Sequence, residues 1–283
     1  MRLIILILSI LLSGSLSAQK AKKKLPEKES FLNTQWFLGF YGGINLTKAA
    51  PSSAFYGYAP INYELNDVNK TYDDYSIIGG QYGLIIMYYF HGFTIGLKPG
   101  FNIYGFQHST NANWTDSNNS NNTLQVRYNH TTKLSYLEFP MTVQYDLTKS
   151  KLRPYIGGGA YYGMLFTTSR TIDRSGTDTA SGSEGDFNSQ STTIGVDELF
   201  IKSAIGLVGF IGASYDPGNV RITLDVGYKY GMSIITNTKN RYLKNELAAI
   251  GDATDDLELQ HIYVSLGVAF PLKFITKNYT SKK

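Results

Sequence analysis

Between Val220 and Ile234 every second residue is apolar or aromatic: Val220, Ile222, Leu224, Val226, Tyr228, Tyr230, Met232 and Ile234. The residues between them, Arg221, Thr223, Asp225, Gly227, Lys229, Gly231 and Ser233, include no large apolar side chain. Strict period-two alternation marks a β-strand with one apolar and one polar face. At about 3.3 Å per residue the run spans roughly 50 Å, well beyond the ~5–6 residues of an ordinary strand.

The same pattern predicts seven further strands, at 36–46, 76–90, 93–106, 124–147, 152–167, 199–215 and 257–274, with the first run extending over 220–236. In 257–274 the apolar set is Ile262, Val264, Leu266, Val268, Phe270, Leu272 and Phe274. In 124–147 the apolar parity changes from even to odd near Ser135 and Tyr136, which predicts a β-bulge that flips the faces. Pro99, Pro140 and Pro271 each remove a ladder donor, so bulges or widened pairing are expected there.

The connections alternate in length. Short ones fall at His91-Gly92, Thr148 to Lys151 and Asp216 to Asn219. Long ones, at about 47–75, 107–123, 168–198 and 237–256, are rich in Asn, Ser, Thr and Asp and read as mobile surface loops. Tight turns at one end and long loops at the other are the arrangement of an all-β, eight-stranded antiparallel up-and-down transmembrane barrel. In such barrels the short turns face the periplasm, which places both termini there.

Periodicity alone leaves open which face points inward. A soluble lipocalin-type barrel buries the apolar face and covers its surface with Lys and Glu. Here the polar face is Gly, Ser, Thr, Asn and Tyr, and the chain is only 17% charged. Small residues suit a narrow lumen, and Tyr88, Phe90, Phe93, Tyr145, Tyr215 and Phe274 on the apolar face would form an aromatic girdle at the short-turn end. The bacterial outer membrane, with its lipid as a partner, is the expected location.

The start of the chain agrees. Arg2, the apolar run Leu3 to Leu12 and the mostly small residues up to Ala18 read as a signal peptide over 1–18. The ten-residue run is too short to span a bilayer. A basic arm over 19–35, carrying Lys20, Lys22, Lys23, Lys24 and Lys28, precedes the barrel at 36–274, and a tail at 275–283 follows it. The formal charge is +4, about +3 once Arg2 is removed. With no cysteine there is no disulfide, catalytic thiol or thiolate metal site. Nothing indicates nucleic acid as a partner, since the basic residues form no motif with aromatics.

The run Tyr136-Leu137-Glu138-Phe139-Pro140, followed by Arg153 to Leu165 (RPYIGGGAYYGML), resembles the PorT-like outer-membrane β-barrel family of Bacteroidota. That resemblance implies a signal peptide, an eight-stranded barrel and, through PorT itself, a link to type IX protein secretion.

Candidate chemistry is sparse. His91, His108, His130 and His261 lie in no His-x-Ser pair or nucleophile elbow and read as surface or girdle residues, so no catalytic residue is expected. Asp252, Asp255, Asp256 and Glu258 lack EF-hand spacing and read as a solvated loop rather than a Ca²⁺ site. Gly157-Gly158-Gly159 opens no helix and reflects close strand packing rather than phosphate binding. No metal or cofactor is expected.

The inward parity does carry charges: Lys98, Glu138, Lys202, Asp225 and Lys229. Buried charges must be paired, so these five are expected to form a structural ion-pair network. Glu138 would be its hub, and Lys98 the first candidate partner because it lies on the neighbouring strand. The function these features point to is a non-enzymatic structural or interaction protein, linked to type IX secretion or envelope assembly, with envelope or secretion proteins as partners. A lipid-modifying enzyme and a narrow small-solute channel are the alternatives.

Overall fold

The computed structural model describes residues 34–55, 68–179, 185–242 and 253–272. The expected signal peptide (1–18), most of the expected basic arm (19–35) and the expected tail (275–283) lie outside the described residues, as does Phe274. The elements are β1 (Thr34–Ser53), β2 (Val68–Asp73), β3 (Ile78–Phe90), β4 (Phe93–Leu97), β5 (Gly100–Thr115), β6 (Thr123–Asp146), β7 (Leu152–Asp178), β8 (Gly185–Gly195), β9 (Ser203–Tyr215), β10 (Arg221–Gly231) and β11 (Asp256–Pro271).

Hydrogen bonding closes these strands into a ring. β1 pairs with β3 and β11, β3 with β4 and β5, and these two with β6; the circuit returns through β7, β9 and β10 to β11. All pairings are antiparallel. β4 and β5 form one stave broken at Lys98 and Pro99, so the wall has eight staves. β2 and β8 add to β5 and β7 outside the ring. The hairpin at the β3–β4 turn needs two residues with positive φ, and His91 (φ 49) and Gly92 (φ 96) supply them.

The apolar face points outward. Leu224, Val226, Leu266, Ile86 and Val143 stand on the exposed side of their strands, while Thr223, Asp225, Ser265, Ile85 and Thr142 face in. Trp36, Phe90, Phe93, Tyr145 and Tyr215 form the aromatic belt at the short-turn end, with Phe93 against Tyr145 (ring centroids 4.8 Å apart). From Phe90 to Ile78 the outward residues of β3 cover about 30 Å along the membrane normal, at ~3.3 Å per residue and a tilt near 40°. That matches a hydrocarbon core, and it rules out the lipocalin arrangement.

Three expectations need correction. First, β6 keeps even residues inward from Val126 to Asp146. Its apparent parity switch arises because the inward residues change from polar below (Thr142, Gln144) to apolar above (Leu134, Tyr136). The bulge exists, but on β7: Ser135 pairs with Thr167 and Tyr136 with Leu165, leaving Phe166 as the extra residue. Second, much of the supposed loop sequence is strand. β5 and β6 run on as a hairpin to the turn at 116–122, and β7 and β8 form another. In that turn Asp116 accepts the N–H of Asn118 and the amide of Asn122, which hold its carboxyl below the ordinary range. Third, of the bulges or widened pairing expected at the prolines, Pro99 and Pro140 give only an interruption of the ladder at Lys98 and Pro99: register is unbroken from Gly100 opposite Glu138 to Leu97 opposite Met141, so neither adds a residue.

Gly157 and Gly159 show why the glycine run is needed. A Cβ on Gly157 would lie 2.4 Å from the Phe210 ring, and one on Gly159 would lie 2.0 Å from the Met141 carbonyl oxygen.

Candidate functional site

The inward positions fill the lumen in storeys. At the short-turn end, Asp216 accepts from Arg221 through Nε and Nη2 (both 2.8 Å) and from Arg153 through Nη2 (2.8 Å). Asp146 lies 3.7 Å from Arg153. The Arg221 guanidinium sits 4.2 Å from the Phe37 ring centroid and 4.9 Å from that of Tyr89. These charges begin or end strands beside the two short turns.

The next storey is Lys98 and Asp225. Lys98 Nζ donates to Asp225 Oδ2 at 2.7 Å, and the Tyr155 hydroxyl donates to the other carboxylate oxygen. Above it, Lys229 Nζ donates to Glu138 Oε2 at 2.6 Å and also reaches Asn102 Oδ1 (3.2 Å) and the Tyr104 hydroxyl (3.1 Å). Tyr104 donates to Glu138 Oε1 at 2.6 Å. His261 stacks on Tyr104 (3.7 Å between centroids), and its Nδ1 lies 3.0 Å from Thr47 Oγ1. The space bounded by Tyr136, Tyr161, Glu138 and His261 is about 10 Å³, the size of one water.

An apolar lid closes the upper end. Val196, Leu199, Phe200, Ile235, Leu257 and Leu259 pack on Phe106, Leu134 and Leu165. The chain reaches this position through a single turn of 3₁₀ helix at Asp197–Leu199. It is held there by the Thr168 N–H donating to the Asp197 carboxylate and by Ile201 N–H donating to the Ile235 carbonyl (2.8 Å).

Of the five residues expected to form one network, the structure brings together Lys98 with Asp225 and Glu138 with Lys229. Lys202 does not join them: it follows Phe200 out of the lid, in a bend where its side chain is exposed. Without it the two lysines balance the two carboxylates. Lys98 is not the partner of Glu138 either. β10 lies three staves from β6 round the ring, and Lys229 reaches Glu138 through the lumen while Lys98 reaches Asp225.

Other expected features also move. His108, His130 and His261 are interior, with His108 and His130 stacked at 4.4 Å, and only His91 lies at the surface. Asp255 is buried and accepts from Lys70 (3.0 Å) and Tyr72 (2.7 Å), while Asp256 meets Arg241 at 2.7 Å; Asp252 lies outside the described residues. Among the described residues no three His, Asp or Glu side chains are grouped to hold a metal. The arginine–aspartate floor and the tyrosines Tyr104 and Tyr155 were not singled out from the sequence. Their signal is the inward parity of Arg153 and Arg221 beside the short turns, and of tyrosines spaced among glycines.

Tyr41 explains how the wall tolerates its prolines. Lys98 N–H donates to Pro140 O at 3.1 Å, but Pro140 has no N–H to return to the Lys98 carbonyl. The Tyr41 hydroxyl donates to that carbonyl from the lumen side, at 3.2 Å. Tyr41→Phe is expected to lower stability by about 1 kcal/mol, the net worth of one hydrogen bond. In a Pro140→Ala background, where the ladder donor is restored, the loss should shrink. Urea unfolding in lipid vesicles measures both; equal losses in the two backgrounds would show that Tyr41 does not replace the proline's donor.

An antiparallel barrel of eight staves, with lipid-facing apolar residues, an aromatic belt and a filled lumen, is a small outer-membrane β-barrel. Residues 18–237 match the family described as outer membrane protein beta-barrel domain, and the chain belongs to that family and to the bacterial outer membrane. No curated protein matches it. Similar solved structures include Ail of Yersinia pestis (11% identity, 83% of this chain and 99% of that one, TM-score 0.29) and neisserial surface protein A (15%, 83% and 96%, 0.29). The outer-membrane protease OmpT of Escherichia coli is also among them (9%, 84% and 96%, 0.26). Likeness this distant says nothing of ligand or activity.

Proposed function

We propose that this chain is a non-enzymatic, non-conducting outer-membrane barrel that works through its rims and its extension beyond the membrane, with both termini in the periplasm. The observation that carries the reading is the filled lumen: two ion pairs spanning it, an arginine–aspartate floor and an apolar lid. In an eight-stranded barrel the interior has room for little besides side chains. The burial of His108, His130 and His261 speaks against lipid chemistry at those rings.

The PorT-like resemblance of the Tyr136 to Pro140 run supports a finer reading, in which the barrel serves type IX secretion or envelope assembly by holding envelope proteins. The purified chain in planar bilayers should give no conductance steps, and crosslinking in native envelopes should return envelope or secretion proteins. Reproducible conductance would replace this reading with that of a narrow channel.

A further inference from the structure

The outward face of the barrel does not end at the lipid band. On β6 the lipid-facing residues Tyr145, Val143 and Met141 are followed, at the same parity, by Ser135, Lys133, Thr131, Asn129, Arg127 and Gln125. From Leu137 to Arg127 the strand climbs about 25 Å along the membrane normal, at ~3.3 Å per residue and a tilt near 40°. The bulge at Phe166 keeps β7 in step, so that Ser169, Thr171 and Thr177 also face out.

Register places Asn111 opposite Arg127, Asn113 opposite Gln125, and Gln125 opposite Thr177. These side chains line a groove of about 350 Å³. Arg127 donates through Nε to Asn129 Oδ1 at 3.2 Å, which fixes one edge of its guanidinium; its terminal nitrogens have no hydrogen bond among the described residues. Lys133 is exposed nearer the lipid band, and the carboxylate Asp173 lies opposite Asn129.

We propose that this face binds the saccharide portion of the lipopolysaccharide that surrounds the barrel in the outer leaflet. The proposal rests on the reading of the extension as lying outside the cell. Three features select that occupant. The face continues the lipid-facing surface, so what stands against it is the part of the surrounding glycolipid above the acyl chains. Its amides and hydroxyls donate and accept in turn, as vicinal sugar hydroxyls require. Lys133 and Arg127 give the face two cationic points for phosphate or carboxylate on the sugars, beside the carboxylates Asp73 and Asp173. The groove also lacks the aromatic anchors on which protein interfaces depend.

The test uses the purified full chain in detergent micelles, with rough lipopolysaccharide bearing its core oligosaccharide, lipid A and the free core oligosaccharide as probes. The wild type should bind core-bearing lipopolysaccharide at least tenfold more tightly than lipid A, and the free oligosaccharide more weakly than the intact glycolipid. Combined Asn111→Ala, Gln125→Ala and Arg127→Ala should reduce the tenfold preference to under twofold, with lipid A binding and the heat-dependent gel shift of the folded barrel unchanged. Lys133→Ala, a single exposed change, should reduce it about threefold.

No preference for the core in the wild type, or an unchanged preference in both variants, overturns the proposal. Equal affinity for the free oligosaccharide overturns the membrane source. Variants that keep the preference but lose a crosslinked protein give the face to a protein partner instead. Protease added to intact cells should cut within 116–122; protection there would sink the extracellular placement, while conductance in bilayers would sink only the functional reading above.

Discussion

Glu138→Gln is expected to lower the stability of the folded barrel by about 3 kcal/mol or more, the cost of breaking a buried ion pair from one side. The carboxylate accepts from Lys229 at 2.6 Å and from Tyr104 at 2.6 Å, and it is 1% exposed. The amide keeps the shape but removes the negative charge, leaving the Lys229 ammonium with only neutral acceptors, the amide oxygen, Tyr104 and Asn102. A second change, Lys229→Met, removes the stranded cation and should recover part of the loss, so the double variant should be more stable than Glu138→Gln alone. Lys98→Met in the same background should give no recovery, because Lys98 serves Asp225. Urea unfolding in vesicles reads all three. If Glu138→Gln leaves stability unchanged and opens conductance, the residue gates a channel and the closed-lumen reading fails.

How far the sequence foretold this arrangement depends on which solvent each residue meets. Lipid imposes one rule on every outward residue of the band, so alternations such as Ile222, Leu224 and Val226 revealed both the strands and the membrane. Above the band both faces of a strand meet polar surroundings or each other. Residues 107–115 and 168–178 therefore lose their contrast and read as loops, although they are β5 and β7. The lumen obeys no single rule. It is polar around Asp225 and apolar around Leu134, and this change of chemistry imitated a change of face at Ser135.

Partner choice was the least legible feature. Strand adjacency favoured Lys98 for Glu138, yet Lys98 is matched to Asp225 across the barrel. Parity put Lys202 with the inward set, but it stands in the bend between the lid and β9, with its side chain exposed.

The facing of β10 can be tested by one pair of adjacent substitutions. Leu224 is 47% exposed, flanked in register by Ala213 on β9 and Leu266 on β11, within the band between the Tyr215 and Tyr228 levels. Leu224→Arg puts a guanidinium among acyl chains and should cost about 2–4 kcal/mol, less where the side chain can reach the interface. Thr223, the next residue, is 3% exposed and faces the lumen, where its hydroxyl has no hydrogen-bond partner among the described residues. Thr223→Val keeps the shape and removes an unpaired buried hydroxyl, so its effect should be near zero or slightly stabilising. The contrast should vanish in a water-soluble setting, because an arginine at an exposed strand position costs little there. Folding into vesicles that is equally tolerant of both changes would mean that Leu224 does not meet lipid, and the outward assignment of the whole apolar face would fall with it.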